Sequence, residues 1–313
     1  VSGERVLVTG GGGFIGSGLV ERLLADGFRV RVLDNFATGR RENLDGFDGD
    51  VELIEGDIQS YERVHDAVRG SEVVFHQAAL PSVPRSIQDP LTSNAVNVIG
   101  TLNVLLASRD EGVRRVVSAS SSSIYGGIGE LPNSEDMPTR PIAPYAVSKL
   151  AAEGYCRCFH EVYGLETVSL RYFNVFGPRQ DPLSHYSAVI PRFMLALLDG
   201  LRLTIHGDGE QSRDFTYIDN AVDATVAATT APDVGGKVFN VACGSRTSIA
   251  DLHREVCSLA GTDVQAEYTD PRPGDVRHSV ADISRARAAL AYEPLIDVRE
   301  GLRRTFDWYV AAR

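Results

Sequence analysis

"RVLVTGGGGFIGSGLVERLLADG", Arg5 to Gly27, decides the fold. Its opening, RVLVTG (5–10), is an apolar, strand-like run, and its close, GFIGSGLVERLLADG (13–27), has helical periodicity. Between them Gly10, Gly13 and Gly16 stand three residues apart, after the strand and at the mouth of the helix. Such a turn is tight, its backbone must come close to a pyrophosphate, and the helix must pack hard on its strand. Each demand removes a side chain. The helix N-terminus then offers unpaired N–H groups and a positive dipole to phosphates. The context predicts a dinucleotide site.

Working outward, the same alternation continues. Strand-like runs at 29–34, 51–57, 72–79, 115–120 and 167–173 are separated by helical segments at 61–70, 93–112 and 145–164. Strand, helix, strand in steady succession predicts a doubly wound α/β architecture, a parallel sheet with helices on both faces and its ligand site beyond the carboxyl ends of the strands. After Asn174 the pattern breaks into a helix ("AVIPRFMLALLDG"), short strands around a glycine turn ("LTIHGDGEQSRDFTYI") and two amphipathic helices ("SIADLHREVCSLAG", "REGLRRTFDWYVAAR"). The expected division is a domain over 1–173, rejoined by 218–242, and a smaller, mainly substrate-binding α/β domain over 174–313.

Composition narrows the ligands. The chain has 313 residues, 43% hydrophobic and 23% charged, which suits a globular protein with more than one lobe. A net charge of −11 argues against a nucleic-acid partner held through its phosphates. No apolar run looks long enough to span a bilayer and the first residues lack a signal-peptide layout, so a cytoplasmic, membrane-free protein is expected. Cys156, Cys158, Cys243 and Cys257 lack zinc-ligand spacing and are expected to be buried or half-buried thiols; no metal is expected.

Asp34 ends the second strand about 20 residues after the glycines, where an acid bonds the adenosine ribose hydroxyls and repels a 2′-phosphate, favouring NAD over NADP. Arg40 and Arg41 nearby read as a solvated pair; as phosphate ligands they would argue the other way. Asp57 and Ile58, at the end of the third strand, are placed to flank an adenine. Tyr145 and Lys149 stand four apart, hence on one helix face, where the lysine would favour the phenolate. That would turn a phenol of pKa about 10 into a base useful near neutrality. Just before them "SASSSSIYGG" (118–127) ends a strand in Ser120 to Ser123, with hydroxyls at the edge where ligands bind.

Taken together, "TGGGGFIG", "DN", "GDI", "HQAA", "SSSSIYG", "YAVSK", "RYFNVFGP", "GDGEQSRDF" and "RPGDVRHS" make the chain resemble, over nearly its whole length, the extended short-chain dehydrogenase/reductases. Within that group it is most similar to the UDP-galactose 4-epimerases, including those acting on UDP-N-acetylhexosamines. The resemblance implies an NAD-binding Rossmann-type fold and a homodimer formed through the helices at 93–110 and 145–163. It implies that Tyr145 is the base, that Lys149 binds the nicotinamide ribose, and that Ser121 holds the reacting 4-hydroxyl. Phe14, Ile15, Asn35, Ala78, Asn97 and Tyr172 would join the three glycines, Asp34, Asp57 and Ile58 around NAD. Ser122, Asn174, Val189, Arg192, Thr204, His206, Arg213, Arg272, Asp275 and Ser279 would hold the nucleotide sugar, with Arg213 and Arg272 pairing with the diphosphate. The implied reaction oxidises sugar C4, turns the 4-keto sugar over and reduces the opposite face, with no net redox change.

Departures from the related enzymes sharpen this. Ser122 and Ser123 stand where nucleotide-sugar dehydratases carry an Asp-Glu pair, and the glutamate of the decarboxylases is missing from the same segment. Asp181 stands where a sugar-acid 4-epimerase would offer an arginine, so a uronic acid would need another cation, such as Arg85 or Arg179. Pro81 replaces a cofactor-contacting lysine of many hexose epimerases, and the small Ser279 leaves room beside sugar C2. A non-catalytic NAD sensor on this fold would characteristically lack the Tyr/Lys pair, which is present here.

Overall fold

The computed structural model describes residues 3–47, 51–127, 129–182, 188–271 and 276–312. Six strands, β1 (Arg5–Thr9), β2 (Arg29–Asp34), β3 (Val51–Glu55), β4 (Val73–His76), β5 (Arg115–Ser121) and β6 (Glu166–Tyr172), join Lys237–Val241 in one sheet. All pairings are parallel, in the order β3-β2-β1-β4-β5-β6 and then Lys237–Val241. The chain reverses direction across the sheet between β1 and β4, which is where such sheets open a crevice for ligands.

Alternation along the strands sorts the core into two faces. Val6, Val8, Val73, Phe75 and Val117 face a cluster that includes Leu19 and Leu23 of the helix Phe14–Ala25 and Ala221 and Val222 of Ile218–Thr230. Leu7, Val74 and Val116 face the other way, against Val64, Leu105 and Phe159 of the helices that follow β3, β4 and β5. Both faces are covered, so these strands are continuously apolar, as a parallel sheet requires. Each fully buried Phe or Leu removed from water contributes about 1.5–3 kcal/mol.

The helix Pro90–Asp110 corrects one expectation. It is 21 residues long with mean hydropathy 1.2, enough on length and composition to cross a bilayer, yet half of that stretch is buried in the fold. It packs between the helices Tyr61–Val68 and Pro144–Tyr163, so its apolarity serves the core. It also carries a π turn at Ala95–Ile99, and a short helix, Val83–Gln88, precedes it where no element was foreseen. Of the cysteines, Cys158 is exposed rather than buried, because it points outward from the helix Pro144–Tyr163.

Beyond β6 the chain builds a second lobe around the helices Val189–Leu198, Ile249–Leu259 and Val298–Ala311. Its interior, with Phe193, Met194, Leu252 and Val256, is continuous with the apolar cluster on the first face of the sheet. Between lobe and strand ends runs a cavity of about 1190 Å³, adjoined by one of about 430 Å³ against Val189–Leu198. Asn174, Val175, Ala188 and Arg213 line both.

Candidate active site

The glycines are required by the closeness of the surrounding backbone. A Cβ on Gly16 would lie 2.0 Å from the Gly10 carbonyl oxygen, and one on Gly10, at φ +73°, 2.7 Å from the Ala78 backbone. The helix opens at Phe14 with Gly13 as an N-cap that has no side chain, so the first-turn N–H groups stay available to an anion. Asp34 is buried, its carboxylate accepting from the N–H of Gly12 and of Phe36, both at 2.8 Å. Burial raises its pKa, and the same N–H groups pull it down. Asn35 donates to the Asp57 carboxylate at 2.8 Å, so two of the expected ribose and adenine residues brace one another. Gly10, Gly13, Phe14, Ile15, Gly16, Asp34, Asn35, Asp57, Ile58 and Ala78 all line the large cavity. An acid-ended strand, an uncapped helix start and backbone too close for side chains together fit a dinucleotide.

The arginines beside this end are engaged. Arg41 pairs with Glu55 and lies over the Phe36 ring, while Arg40 donates to Asp181 at 2.9 Å.

At the other end of the cavity the last residues of β5 are matched one by one to a face of the helix Pro144–Tyr163. The Ser121 hydroxyl stands by the Tyr145 phenol and lowers its pKa, the Ala119 carbonyl accepts from Lys149 at 2.9 Å, and Ser120 donates to Glu153. Tyr145, Lys149 and Glu153 are successive i, i+4 positions, which is why a straight strand end reaches all three. Ser121 also caps the 3₁₀ turn Ser122–Tyr125 by accepting from Ser123 N–H. The Ser123 hydroxyl, on the cavity wall, is buried with no hydrogen-bond partner in the protein.

Burial raises the Tyr145 pKa and the neighbouring Ser121 hydroxyl lowers it, while the Lys149 ammonium, one turn along the helix, donates to the Ala119 carbonyl. Burial pulls Lys149 itself down to about 8, against the attraction of Cys156 and Glu153.

Several residues stand behind the wall. Asn97 is buried and its amide is spent on the Leu80 backbone and on Ser148, whose hydroxyl donates to the Tyr145 carbonyl. It therefore holds the loop after β4 and the helix Pro144–Tyr163 together without itself lining the large cavity. Tyr172 lines the cavity with its ring, while its hydroxyl bonds Thr225 at 2.7 Å. Ser86, on the unforeseen short helix, accepts from Tyr145 N–H at 3.0 Å; a serine in "PRSIQ" carried no signal of that task.

Ser122, in the turn after β5, and Ser279, on the second lobe, line the large cavity; Val189, Arg192, Thr204 and His206 line the small one, and Asn174 and Arg213 stand where they meet. Arg272 and Asp275 lie outside the described residues. Among the described residues no cluster of metal-ligating side chains occurs.

The chain matches the NAD dependent epimerase/dehydratase family over residues 6–242. It belongs to that family. It is 41% identical over 309 residues to UDP-glucose 4-epimerase of Mycolicibacterium smegmatis, covering 97% of this chain and 98% of the relative. It superposes with a TM-score of 0.96, at 39% identity and covering 100% of both chains, on UDP-N-acetylglucosamine 4-epimerase of Methanobrevibacter ruminantium in complex with UDP-N-acetylmuramic acid. A UDP-glucuronic acid 4-epimerase of Bacillus cereus, in complex with a fluorinated UDP-glucuronic acid and NAD, superposes at 0.92 with 31% identity, over 99% of this chain and 100% of that one. More distant relatives include a UDP-N-acetyl-glucosaminuronate decarboxylase of Bacillus cytotoxicus, 32% identical over 98% of both chains.

NAD is thus the cofactor of the family whose glycine turn and acid-ended strand this chain carries. Asp181 is paired with Arg40, and Arg179 pairs with Glu21 and lies over Phe47, while Arg85 and Arg213 line the large cavity.

Proposed function

We propose that the protein interconverts UDP-hexoses that differ in configuration at C4, acting on UDP-glucose and UDP-galactose and on UDP-N-acetylglucosamine and UDP-N-acetylgalactosamine. The observation that carries this reading is the juxtaposition of the Ser121 hydroxyl and the Tyr145 phenol at the strand edge, beside Lys149 and facing a wall of serines instead of carboxylates. When bound, NAD supplies a hydride acceptor for sugar C4 and a donor for the return. Ser121 holds the 4-hydroxyl, and Tyr145 takes its proton on oxidation and gives it back on reduction. Because burial disfavours the phenolate, this base needs positive charge close by, which the Lys149 ammonium and an oxidised nicotinamide ring would provide. Arg192, His206 and Arg213 would hold the uridine diphosphate, so that the nucleotide stays fixed while the hexose turns over.

Ser122 and Ser123 speak against dehydration or decarboxylation, which need an acid or base at that place. The small Ser279 speaks for an acetamido group at C2. A UDP-glucuronate 4-epimerase is the second reading, and Arg85 on the cavity wall is what favours it.

The test is a panel of UDP-sugars incubated with purified protein without added NAD, scored for 4-epimers. Turnover of UDP-glucose and UDP-N-acetylglucosamine is expected. Turnover of UDP-glucuronate alone would replace this reading with the second, and failure of UDP-N-acetylglucosamine would remove the N-acetyl part.

We further propose a homodimer through the helices Pro90–Asp110 and Pro144–Tyr163. Leu91, Ile99, Val147 and Val162 are exposed on them, at 83, 46, 52 and 65%, and such apolar stripes favour a partner face. Light scattering should give twice the mass of the 33.9 kDa chain; a monomer mass would contradict the proposal.

A further inference from the structure

Glu153 stands one turn beyond Lys149, and Arg171 of β6 faces it; both are buried. They are joined by two hydrogen bonds, Nε to Oε1 at 2.9 Å and Nη2 to Oε2 at 2.8 Å. The reaction proposed above has no step for either. Two buried charges cost solvation that apolar residues of similar volume would not, so the pair calls for a reason beyond stability.

Its surroundings supply one. The Ser120 hydroxyl donates to Glu153, and Ser120 lies between Ala119, which holds Lys149, and Ser121, which holds Tyr145. Arg171 in turn donates to the Tyr125 hydroxyl at 2.8 Å, and that hydroxyl donates to Asn240 at 2.7 Å. The end of β5, the catalytic helix, β6 and the strand Lys237–Val241 are thereby tied at one buried point.

We propose that Glu153, braced by Arg171, is a positioning residue for the reaction proposed above: it fixes the serine end of β5 against the catalytic helix, and its charge keeps the buried Lys149 protonated. The titratable and charged groups around Lys149 are Tyr145, Glu153 and Cys156 on its own helix, His76 from β4 and Arg171 from β6. His76 is held neutral by burial, its pKa lowered to about 3, and the Cys156 thiol is pushed up to about 11. Glu153 is therefore the nearby anion at neutral pH.

The chain has two lysines, Lys149 and the exposed Lys237, so lysine labelled with ¹³C at Cε gives one signal for the site and one internal reference. The experiment titrates both signals in the NAD-loaded protein. In Glu153→Gln/Arg171→Met, which leaves neither charge orphaned, the Lys149 midpoint should fall by about half a pH unit or more while Lys237 stays. The alkaline limb of kcat/KM should move down with it. A Lys149 midpoint unchanged from wild type would overturn the charge role. Ser120→Ala leaves both charges paired and should keep the Lys149 midpoint while lowering kcat about tenfold at unchanged KM. An unaltered kcat would overturn the positioning role. The NMR titration needs no turnover, so a wrong reaction assignment would show separately, as absence of epimer with the wild type.

Discussion

At the scale of single residues, the site was legible wherever chemistry restricts the side chain strongly. No side chain fits at Gly10 or Gly16, and Asp34 is held where an acid was expected. Tyr145 and Lys149 were legible through their spacing. What the spacing did not reveal is how each is held: the strand residues Ser121, Ala119 and Ser120 take Tyr145, Lys149 and Glu153 in turn. A backbone carbonyl leaves no trace in a sequence, and Ser120 and Ser121 look alike until one is seen to face a carboxylate and the other a phenol. Tyr145→Phe should lower turnover by about 100-fold or more, the usual worth of a positioned acid–base group, while NAD released on denaturation stays at the wild-type amount. A near-normal rate in this variant would mean that the base lies elsewhere.

Among the elements, strands and long helices followed from periodicity, since both faces of the sheet and one stripe of each helix must be apolar. The short helix Val83–Gln88 and the π turn at Ala95–Ile99 did not, because six and five residues are too few to show a period. The π turn is part of a buried chain of bonds. The Thr101 hydroxyl donates to the Asn97 carbonyl at 2.6 Å, so toward His76 Nε2 it accepts; this assigns the ring proton to Nε2 and leaves Nδ1 to accept from Thr9. Thr9 in turn accepts from Ala78 N–H, so the chain runs from the cofactor loop to the π turn. Burial lowers the His76 pKa from 6.5 to about 3. Between those values the unfolded chain binds a proton that the folded one does not, so stability falls as pH falls. The slope is about 1.4 kcal/mol per unit. Asp214, raised to about 6 by burial, works the other way below that pH, so the comparison must be between variants. Urea unfolding at pH 7 and pH 5 should show about 2 kcal/mol of acid loss in wild type that His76→Asn does not share. Equal losses in both proteins would contradict a neutral, buried His76.

Across the whole molecule, the doubly wound sheet could be read from the order of its elements, and the second lobe only as a set of fragments. Its strands are two or three residues long and pair with distant segments, as Thr204–His206 does with Glu267–Thr269. Such pairing has no local signature. The consequence is a two-part cavity with the glycine turn and Asp34 at the sheet end, Arg192 and His206 at the lobe end, and Ser121 and Tyr145 on the wall of the larger part; in the reaction proposed above, the first end would take the dinucleotide and the second the sugar's nucleotide. That arrangement suits a sugar oxidised and reduced again without leaving. The most direct measurement of this claim uses UDP-glucose carrying deuterium at C4, incubated with the protein and no added NAD. The account predicts UDP-galactose that keeps the deuterium at C4, because the hydride removed from one face is returned to the other. UDP-galactose with ordinary hydrogen at C4, or no 4-epimer at all, would contradict it.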